Sequence, residues 1–218
     1  MRHVRGNAGV FAIRRNVSII RSGLPQSHQS TPVNSITATD SGVRCKKSDE
    51  KFFLGRLDYL RALRFEQHVA VPLLRKDFML APVQLYEARS AGADAILLIV
   101  AALDDATLCD LHALARSLGL TALVEAHAAD EVERALRIPG LQLLGVNNRN
   151  LHTFEVRRQT ALELRGQVPV DIAMVSESGI FTAEHVAEVA AAGLDAILVG
   201  EALVTAPDIA QKVRELVS

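Results

Sequence analysis

Short apolar runs alternate with amphipathic stretches from about residue 48 to the end of the chain. The runs are rich in Leu and β-branched residues, are apolar at successive positions, and predict six strands, at residues 71–74, 95–100, 121–125, 141–147, 170–176 and 196–200. The intervening stretches predict helices near residues 57–66, 82–91, 104–118, 128–137, 157–166, 182–192 and 207–217. Repeated strand–helix units of this kind predict an α/β fold, with a parallel sheet covered by helices on both faces.

An internal repeat narrows the architecture. Residues 91–98 and 192–199 share the pattern Ala-Gly-x-Asp-Ala-Ile-Leu at an offset of 101 residues, an interval that holds four strand–helix units. Eight units of about 25 residues need about 200 residues, the lower end of the range for a closed (β/α)8 TIM barrel. A doubly wound open sheet tolerates six strands but does not predict this spacing. Because only six strands are readable, we predict a TIM barrel that is incomplete or atypical at its first two strands.

Residues 1–47 differ in composition from residues 48–218. The first segment holds eight basic residues and one acidic residue, whereas the remainder holds 16 basic and 24 acidic residues. An Arg- and Ser-rich leader of this kind is compatible with an organelle transit peptide, a solvated basic tail or a misread start. We expect residues 1–47 to be disordered or to replace the first two strands, through the strand-like stretches 10–13 and 17–20, and residues 48–218 to form the barrel domain.

The whole-chain composition excludes several classes of protein. With 24 basic and 25 acidic residues and 49% apolar residues, the chain reads as a soluble globular domain without the charge excess of a nucleic-acid-binding protein. The longest apolar run, Ala95–Leu103, is nine residues, about half of a membrane span, and reads as a buried strand and its exit. The two cysteines and seven histidines show no metal-ligand spacing. We therefore expect a cytoplasmic protein with no metal, membrane or nucleic-acid partner.

Polar residues cluster where the predicted strands end, and the strand ends of a (β/α)8 barrel meet at one mouth. Lys76 follows the first of the six strands and is the only lysine between positions 52 and 211. A lysine can give up a proton whereas an arginine cannot, so Lys76 is a candidate acid whose pKa burial would lower. Glu125 ends another strand, where desolvation would raise its pKa into the general acid–base range. The structural alternatives are a solvated lysine and a carboxylate that caps a helix or pairs with a cation.

Two later strand ends carry glycine. Ser178-Gly179 and Gly200-Glu201 follow the last two strands, where barrels of this type often bind phosphate through backbone N–H groups. Each glycine could instead serve a turn, and an Asn-rich turn could explain Asn147 and Asn148, which together with Arg149 offer donors for a carboxylate. His127 and His152 read as loop residues. The chain holds no nucleophile elbow, P-loop or dinucleotide fingerprint.

Four strings, in order, resemble the indole-3-glycerol-phosphate synthase family from about Ser48 to the C-terminus: Asp-Glu-Lys-Phe-Phe at 49–53, Leu-Arg-Lys-Asp-Phe at 74–78, Gly-Val-Asn-Asn-Arg-Asn-Leu at 145–151 and Ser-Glu-Ser-Gly-Ile at 176–180. The resemblance implies a carboxy-lyase of tryptophan biosynthesis that needs no cofactor. It converts 1-(2-carboxyphenylamino)-1-deoxyribulose 5-phosphate to indole-3-glycerol phosphate, carbon dioxide and water. Phosphoribosyl-anthranilate isomerisation shares the late phosphate loops but explains neither the string at 74–78 nor the Asn147–Asn150 run.

The resemblance also implies residue roles. Lys76 would protonate the ribulose carbonyl oxygen, Glu125 would assist proton transfer in the dehydration, and Asn147 and Glu177 would orient these groups. The implied substrate-binding residues are Phe53 and Phe78 at the aromatic ring, Arg149 at the anthranilate carboxylate, and Ser178, Gly179, Gly200 and Glu201 at the phosphate. Other tryptophan-pathway enzymes are the implied partners.

The chain departs from this family near its start. Members carry a Glu-x-Lys segment and a Ser-Pro-Ser turn on the first strand, which supply a second lysine, a carboxylate and a phosphate contact. Nothing here matches them, and the first lysine of the chain is Lys46. The alternative function is therefore a truncated or frame-shifted barrel remnant that binds phosphate without turnover. An unclosed six-stranded barrel would also expose two sheet edges.

Overall fold

The computed structural model describes residues 9–14, 17–20, 57–150 and 153–217. Its strands are β1 Gly9–Arg14, β2 Val17–Ile20, β3 Leu73–Arg75, β4 Ala95–Ile99, β5 Thr121–Ala126, β6 Leu143–Asn147, β7 Ala173–Glu177 and β8 Ala196–Val199. Its α-helices are α1 Leu57–Arg61, α2 Pro82–Ser90, α3 Asp105–Ser117, α4 Ala129–Leu136, α5 Gln159–Leu164, α6 Ala183–Ala191, α7 Glu201–Val204 and α8 Ile209–Val217. A π-helical turn, Ala62–Glu66, continues α1, and 3-10 turns form Val100–Ala102 and Arg165–Gln167.

The strands form a closed barrel in the order β1 to β8. Strands β3 to β8 are parallel to one another and alternate with helices, which confirms the predicted α/β barrel. The departure lies at the first two strands: β1 runs parallel to β8, whereas β2 is antiparallel to both β1 and β3. This hairpin pairs the two edges that a six-stranded sheet would expose. Because residues 21–56 lie outside the described residues, the boundary after residue 47 stays a prediction.

The predicted elements differ from the observed ones mainly at their ends. The apolar run at 95–103 splits, as expected, into β4 and a 3-10 turn. The strand predicted from residue 170 begins only at Ala173, because residues 169–172 form a turn closed by the Ile172 N–H to Pro169 O bond, and Val170 is 94% exposed. The four-residue helix α7 was not among the predicted helices. Within the described ranges, every helix is too short or too polar to span a membrane.

The two copies of the internal repeat make the same contact. Leu73 donates its backbone N–H to Asp94 Oδ2 at 2.7 Å, and Asp94 returns its own N–H to Leu73 O at 2.8 Å. Met174 and Asp195 repeat this exchange at 2.8 and 2.9 Å. Asp94, just before β4, is thus hydrogen-bonded to the start of β3, and Asp195, just before β8, is hydrogen-bonded to the start of β7. The repeat therefore marks equivalent joints, four units apart, in one barrel.

Successive strand residues face the barrel interior and the helices in turn. The helix-facing residues, such as Leu73, Ile96 and Val124, belong to the larger apolar core. Burying one such Leu or Ile side chain stabilises the fold by about 1.5–3 kcal/mol. The interior-facing residues form a second apolar cluster, Leu74, Ala95, Leu97, Ile99, Leu123, Leu143, Val175, Ala196 and Leu198. This cluster lines the interior between β3 and β8 and supports the residues at the carboxyl ends of those strands.

Candidate active site

Four polar residues stand at the interior-facing positions immediately beyond this apolar cluster. Lys76 lies two residues after Leu74, and Glu125 lies two residues after Leu123. Asn147 and Glu177 end β6 and β7, where they are partners in the strand register. The two-residue period of the strands therefore aims all four side chains into the barrel mouth. The sequence prediction named these four residues, and the structure brings them together.

Lys76 is held between two carboxylates. Its Nζ lies 3.0 Å from Glu125 Oε2 and 3.4 Å from Glu177 Oε2. Both glutamate side chains are buried, and the lysine side chain is 15% exposed. The solvated-lysine alternative is thereby excluded for this structure. The catalytic roles of these residues stay predictions.

Asn147 links the carboxylates to the loops above them. Its amide Nδ2 donates to Glu125 Oε1 at 3.2 Å, while its Oδ1 accepts from the Ser178 hydroxyl at 2.8 Å and from the Arg149 backbone N–H at 3.0 Å. The neighbouring Asn148 does not face this site, since its amide bonds Ser176 Oγ and its Oδ1 accepts from a backbone N–H of α5. Asn147 thus contacts the acid–base cluster, whereas Asn148 joins structural elements.

The protonation states differ from those expected from the sequence. Burial lowers the pKa of Lys76, but Glu125 and Glu177 more than offset this effect and raise that pKa above its usual range. Burial raises the pKa of Glu125, but Lys76 and then His127 outweigh it and hold that pKa well below its usual range. The expectations of a lowered lysine pKa and a raised Glu125 pKa were therefore wrong. Each group has close partners of opposite charge, which sequence spacing did not reveal.

Glu177 is the carboxyl whose pKa rises. Burial and then the charge of Glu125 raise the pKa of Glu177 to about 8, although Lys76 opposes them. Its Oε1 is buried and has no hydrogen-bond partner among the described residues. The two carboxyl pKa values are therefore driven apart, so that a shared proton is favoured on Glu177 rather than on Glu125, beside a cationic Lys76. A neutral acid beside an anionic base is an arrangement suited to proton transfer.

The raised pKa of Glu177 predicts a pH dependence of stability. Between the ordinary value of 4.5 and the folded value of about 8, the folded state keeps a proton that the unfolded state releases. The free energy of unfolding therefore falls as pH rises through that window. Glutamine has no proton to release, so Glu177→Gln should lose less stability than the wild type between about pH 5 and about pH 8.

Urea unfolding at the two pH values measures this difference. Glu133→Gln is the matched control, because Glu133 is exposed and pairs only at the surface with Arg137. Equal losses of stability in Glu177→Gln and the wild type would show that Glu177 is already ionised in the folded protein at pH 5.

A cavity of about 180 Å³ opens beside the cluster, between the ends of β7 and β8. Its lining includes the four predicted phosphate-binding residues, Ser178, Gly179, Gly200 and Glu201, together with Lys76, Arg149 and Glu177. Glu201 Oε2 accepts a hydrogen bond from Arg149 Nη2 at 2.7 Å, so its side chain is engaged by a cation. A phosphate in this cavity would meet the backbone N–H groups of the two loops rather than that carboxylate.

The backbone conformation at Gly179, in the loop that lines this cavity, favours glycine. Its φ is +78°, and an added Cβ would lie 2.6 Å from Val156 Cγ1 and 2.9 Å from Arg158 Cγ. We expect Gly179→Ala to lower the free energy of unfolding by about 1–3 kcal/mol, the usual cost of a left-handed backbone in a residue other than glycine, with overlap adding to it. Urea unfolding measures this loss.

Two alanine controls separate the causes. Gly119 has φ +70° and open space around its Cβ position, so Gly119→Ala bears the backbone cost alone. Gly166 has neither a positive φ nor a close neighbour, so Gly166→Ala should leave stability nearly unchanged. Equal stability of Gly179→Ala and Gly166→Ala would contradict both the left-handed backbone at Gly179 and its close contacts with Val156 and Arg158.

The two predicted aromatic residues have different outcomes. Phe78 is partly buried and packs against the interior apolar cluster, at the mouth beside Lys76. Phe53 lies outside the described residues, so its predicted place at the aromatic ring stays a prediction. Within the described ranges, no group of three or more His, Cys, Asp or Glu is arranged to hold a metal ion.

His127 lies in the loop between β5 and α4, as predicted, but its contacts with the carboxylates were not predicted from the sequence. The imidazole lies at the mouth, with Nε2 3.2 Å from Glu125 Oε1 and Nδ1 3.0 Å from Glu131 Oε2. The contact at Nε2 has the distance of an ion pair but not hydrogen-bond geometry. A signal was present, because His127 lies two residues beyond Glu125 and so shares its interior-facing parity.

A model of the indole-3-glycerol phosphate synthase family matches residues 45–216. The chain belongs to the indole-3-glycerol phosphate synthase family. The indole-3-glycerol phosphate synthase of Roseiflexus castenholzii is 57% identical over 175 residues, which cover 78% of this chain and 65% of that protein. The enzyme of the same name from Albidiferax ferrireducens is 50% identical over 179 residues, 81% of this chain and 67% of that protein. The chain thus spans about two thirds of the length of these family members.

Solved structures agree on the fold. The 3-hexulose-6-phosphate synthase of Salmonella typhimurium superposes with a TM-score of 0.63 at 18% identity, over 74% of this chain and 78% of that one. A tryptophan synthase structure from Pyrococcus furiosus superposes with a TM-score of 0.57 at 17% identity, over 73% of this chain and 71% of that one. At such identities the likeness establishes a common barrel architecture alone.

Proposed function

We propose that this chain is a carboxy-lyase that closes the indole ring of indole-3-glycerol phosphate from 1-(2-carboxyphenylamino)-1-deoxyribulose 5-phosphate. The observation that carries the proposal is the contact of Lys76 Nζ with Glu125 Oε2 at 3.0 Å, beside a cavity walled by the predicted phosphate loops. An ammonium donor, an anionic acceptor and an anion-sized cavity are the three features that the reaction requires. Membership of the indole-3-glycerol phosphate synthase family supports the assignment.

Ring closure needs a proton donor at the ribulose carbonyl. The ring carbon that bears the carboxylate forms a bond to the carbonyl carbon, and the carbonyl oxygen becomes a hydroxyl group. The ammonium of Lys76 supplies this proton, because the developing alkoxide is a stronger base than the amine that remains. Loss of carbon dioxide then returns the bonding electron pair to the ring and restores its aromaticity.

Dehydration needs an acid and a base together. The new hydroxyl leaves as water after it takes a proton, and the substrate gives up a proton to form the indole double bond. Glu177, whose pKa is raised, serves as the acid, while Glu125, whose pKa is lowered, serves as the acceptor. Asn147 orients Glu125 through its amide. The assignment of Glu177 as acid and Glu125 as proton acceptor follows from the opposite shifts of their pKa values beside one lysine.

Binding residues lie around this cluster. The phosphate binds in the cavity at Ser178, Gly179, Gly200 and the backbone of Glu201, through N–H groups that bear no formal charge. Arg149 lines the same cavity and is the cation within reach of the anthranilate carboxylate once it leaves Glu201. Phe78 offers an apolar wall for the aromatic ring. We also propose a cytoplasmic location and other tryptophan-pathway enzymes as partners.

A second candidate function rests on the first strand. In β1, Gly9–Arg14, the sequence is Gly-Val-Phe-Ala-Ile-Arg and contains neither glutamate nor lysine. The Glu-x-Lys segment that the family resemblance implies for this position is therefore missing. If that segment is indispensable, the chain binds phosphates through its late loops and does not turn the substrate over.

One experiment distinguishes the two functions. The purified full chain is incubated with the carboxyphenylamino substrate, and indole-3-glycerol phosphate is followed by its fluorescence, while calorimetry with inorganic phosphate measures binding. Turnover supports the synthase. Phosphate binding without turnover supports the phosphate-binding barrel, and neither signal would exclude both functions.

A further inference from the structure

His127 stands between two carboxylates that belong to different elements. Its Nδ1 lies 3.0 Å from Glu131 Oε2, and the same oxygen accepts the His127 backbone N–H at 2.8 Å. On the other side of the ring, Nε2 lies 3.2 Å from Glu125 Oε1. The imidazole is 11% exposed, Glu131 is 17% exposed and Glu125 is 2% exposed, so water screens these contacts little.

The surroundings of the ring favour its charged form. An ionised carboxylate only accepts hydrogen bonds, so Nδ1 beside Glu131 carries a proton, and a second proton at Nε2 makes the 3.2 Å contact with Glu125 an ion pair. The charged groups that face the ring are Glu125 from the end of β5 and Glu131 from the first turn of α4. Beyond Glu125 lie Lys76 and Glu177, which do not contact the ring. No cation among the described residues is recorded against the imidazole.

We propose that His127, clamped by Glu131, is a positioning residue that keeps Glu125 anionic as an imidazolium, and so leaves the proton of the carboxyl pair on Glu177. Its significance for catalysis rests on the proposed synthase function, since His127 acts through Glu125 and does not reach the cavity lining. Glu125 Oε1 accepts a hydrogen bond from Asn147 Nδ2 and lies in ion-pair contact with His127 Nε2. Its Oε2 accepts a hydrogen bond from Lys76 Nζ. Both oxygens are thus satisfied by donors or cations, whereas Glu177 Oε1 has no hydrogen-bond partner among the described residues.

The electrostatics agree with this geometry. Burial lowers the pKa of His127, but its contacts with Glu125 and Glu131 outweigh this effect and raise that pKa to about 9. The imidazole is then a cation throughout the physiological pH range.

Proton NMR titration of the full chain tests the ionisation directly and needs no turnover. His127→Gln identifies the resonance by its disappearance. We expect the His127 ring to titrate near pH 9 in the wild type, and its pKa to fall by about one unit or more in Glu131→Gln and in Glu125→Gln. Glu133→Gln, on the exposed face of α4, should leave it unchanged. A His127 pKa near the ordinary value of 6.5, or a His127 pKa that is unchanged in Glu131→Gln, would overturn the proposal.

The pH profile of turnover supplies the second readout. Below pH 9 the wild type carries the imidazolium and His127→Gln does not, so kcat of the wild type should exceed that of the variant by about tenfold. As pH rises through the His127 pKa, the wild-type ring becomes neutral and this ratio should shrink toward one. A merely structural role for His127 predicts a ratio that does not change with pH, and that result contradicts the proposal.

The two failures can be told apart. If the full chain forms no indole-3-glycerol phosphate, the synthase function fails and the NMR titration still decides the state of His127. If the chain turns over and the ring titrates as an ordinary histidine, the proposal about His127 fails and the synthase function stands.

Discussion

Replacing Lys76 with methionine should lower kcat for indole-3-glycerol phosphate formation by about 10²- to 10⁴-fold, the usual contribution of a positioned general acid. The physical reason is that, among the described residues, Lys76 is the lysine that forms ion pairs with Glu125 and Glu177, so no second ammonium group replaces it. Lys76→Arg should fail as well, because a guanidinium keeps the charge but does not release its proton. The measurement is product fluorescence under saturating substrate.

A matched control separates chemistry from stability. Arg137→Met removes a basic side chain of similar length from an exposed surface pair with Glu133, so it should leave kcat unchanged. Circular dichroism confirms that each variant folds. Equal kcat values for the wild type and a folded Lys76→Met would remove Lys76 from the mechanism and, with it, the central proposal.

Adding one methyl group at Gly145 should lower kcat by about 10²-fold, the scale of an ångström-sized misplacement at a reacting centre. Gly145 lies in β6 beside Glu125, and a Cβ built on it would overlap Glu177 Oε1 and approach Leu123 Cδ1 to 3.2 Å. The overlap with Glu177 Oε1 is much more severe than the contact with Leu123, so the glutamate side chain must move. Gly145→Ala therefore displaces the proposed acid without altering any ionisable residue.

A double-mutant cycle tests whether the effect passes through Glu177. If it does, adding Gly145→Ala to Glu177→Ala should cost little further activity, because the displaced side chain is already gone. Gly166→Ala, with open space at its Cβ position, is the control and should behave as the wild type. Additive losses in the double variant would show that Gly145→Ala acts through the fold rather than through Glu177.

The internal repeat, the positions of the strand ends and the family motifs were the basis of most of the prediction. The repeat indicated a spacing of four strand–helix units, and Asp94 and Asp195 explain it, since each accepts the backbone N–H at the start of the preceding strand. Glu125 was predicted at the mouth because it ends a strand, and Glu177 was named through the string at 176–180 that resembles the family. These are local properties of the chain, so the sequence expresses them directly.

The hairpin of β1 and β2 could not be foreseen from its residues. The stretches 10–13 and 17–20 read as strands, but their pairing depends on two free edges supplied by β8 and β3, more than 50 residues away along the chain. An unpaired edge accepts either strand direction. The mixed parallel and antiparallel closure is therefore a property of the whole sheet.

The α/β barrel class, the family resemblance and four polar residues of the mouth, Lys76, Glu125, Asn147 and Glu177, could be predicted from the sequence, because hydrophobic periodicity, motifs and strand ends are local features of the chain. The direction of each pKa shift came from the folded arrangement: upward for Lys76, Glu177 and His127, and downward for Glu125. Each pKa depends on the charges and the burial within a few ångströms, and those neighbours come from strands and helices far apart in sequence. At this mouth the pKa of a side chain depends on its neighbours in space, whereas its position depends on the strand end at which it stands.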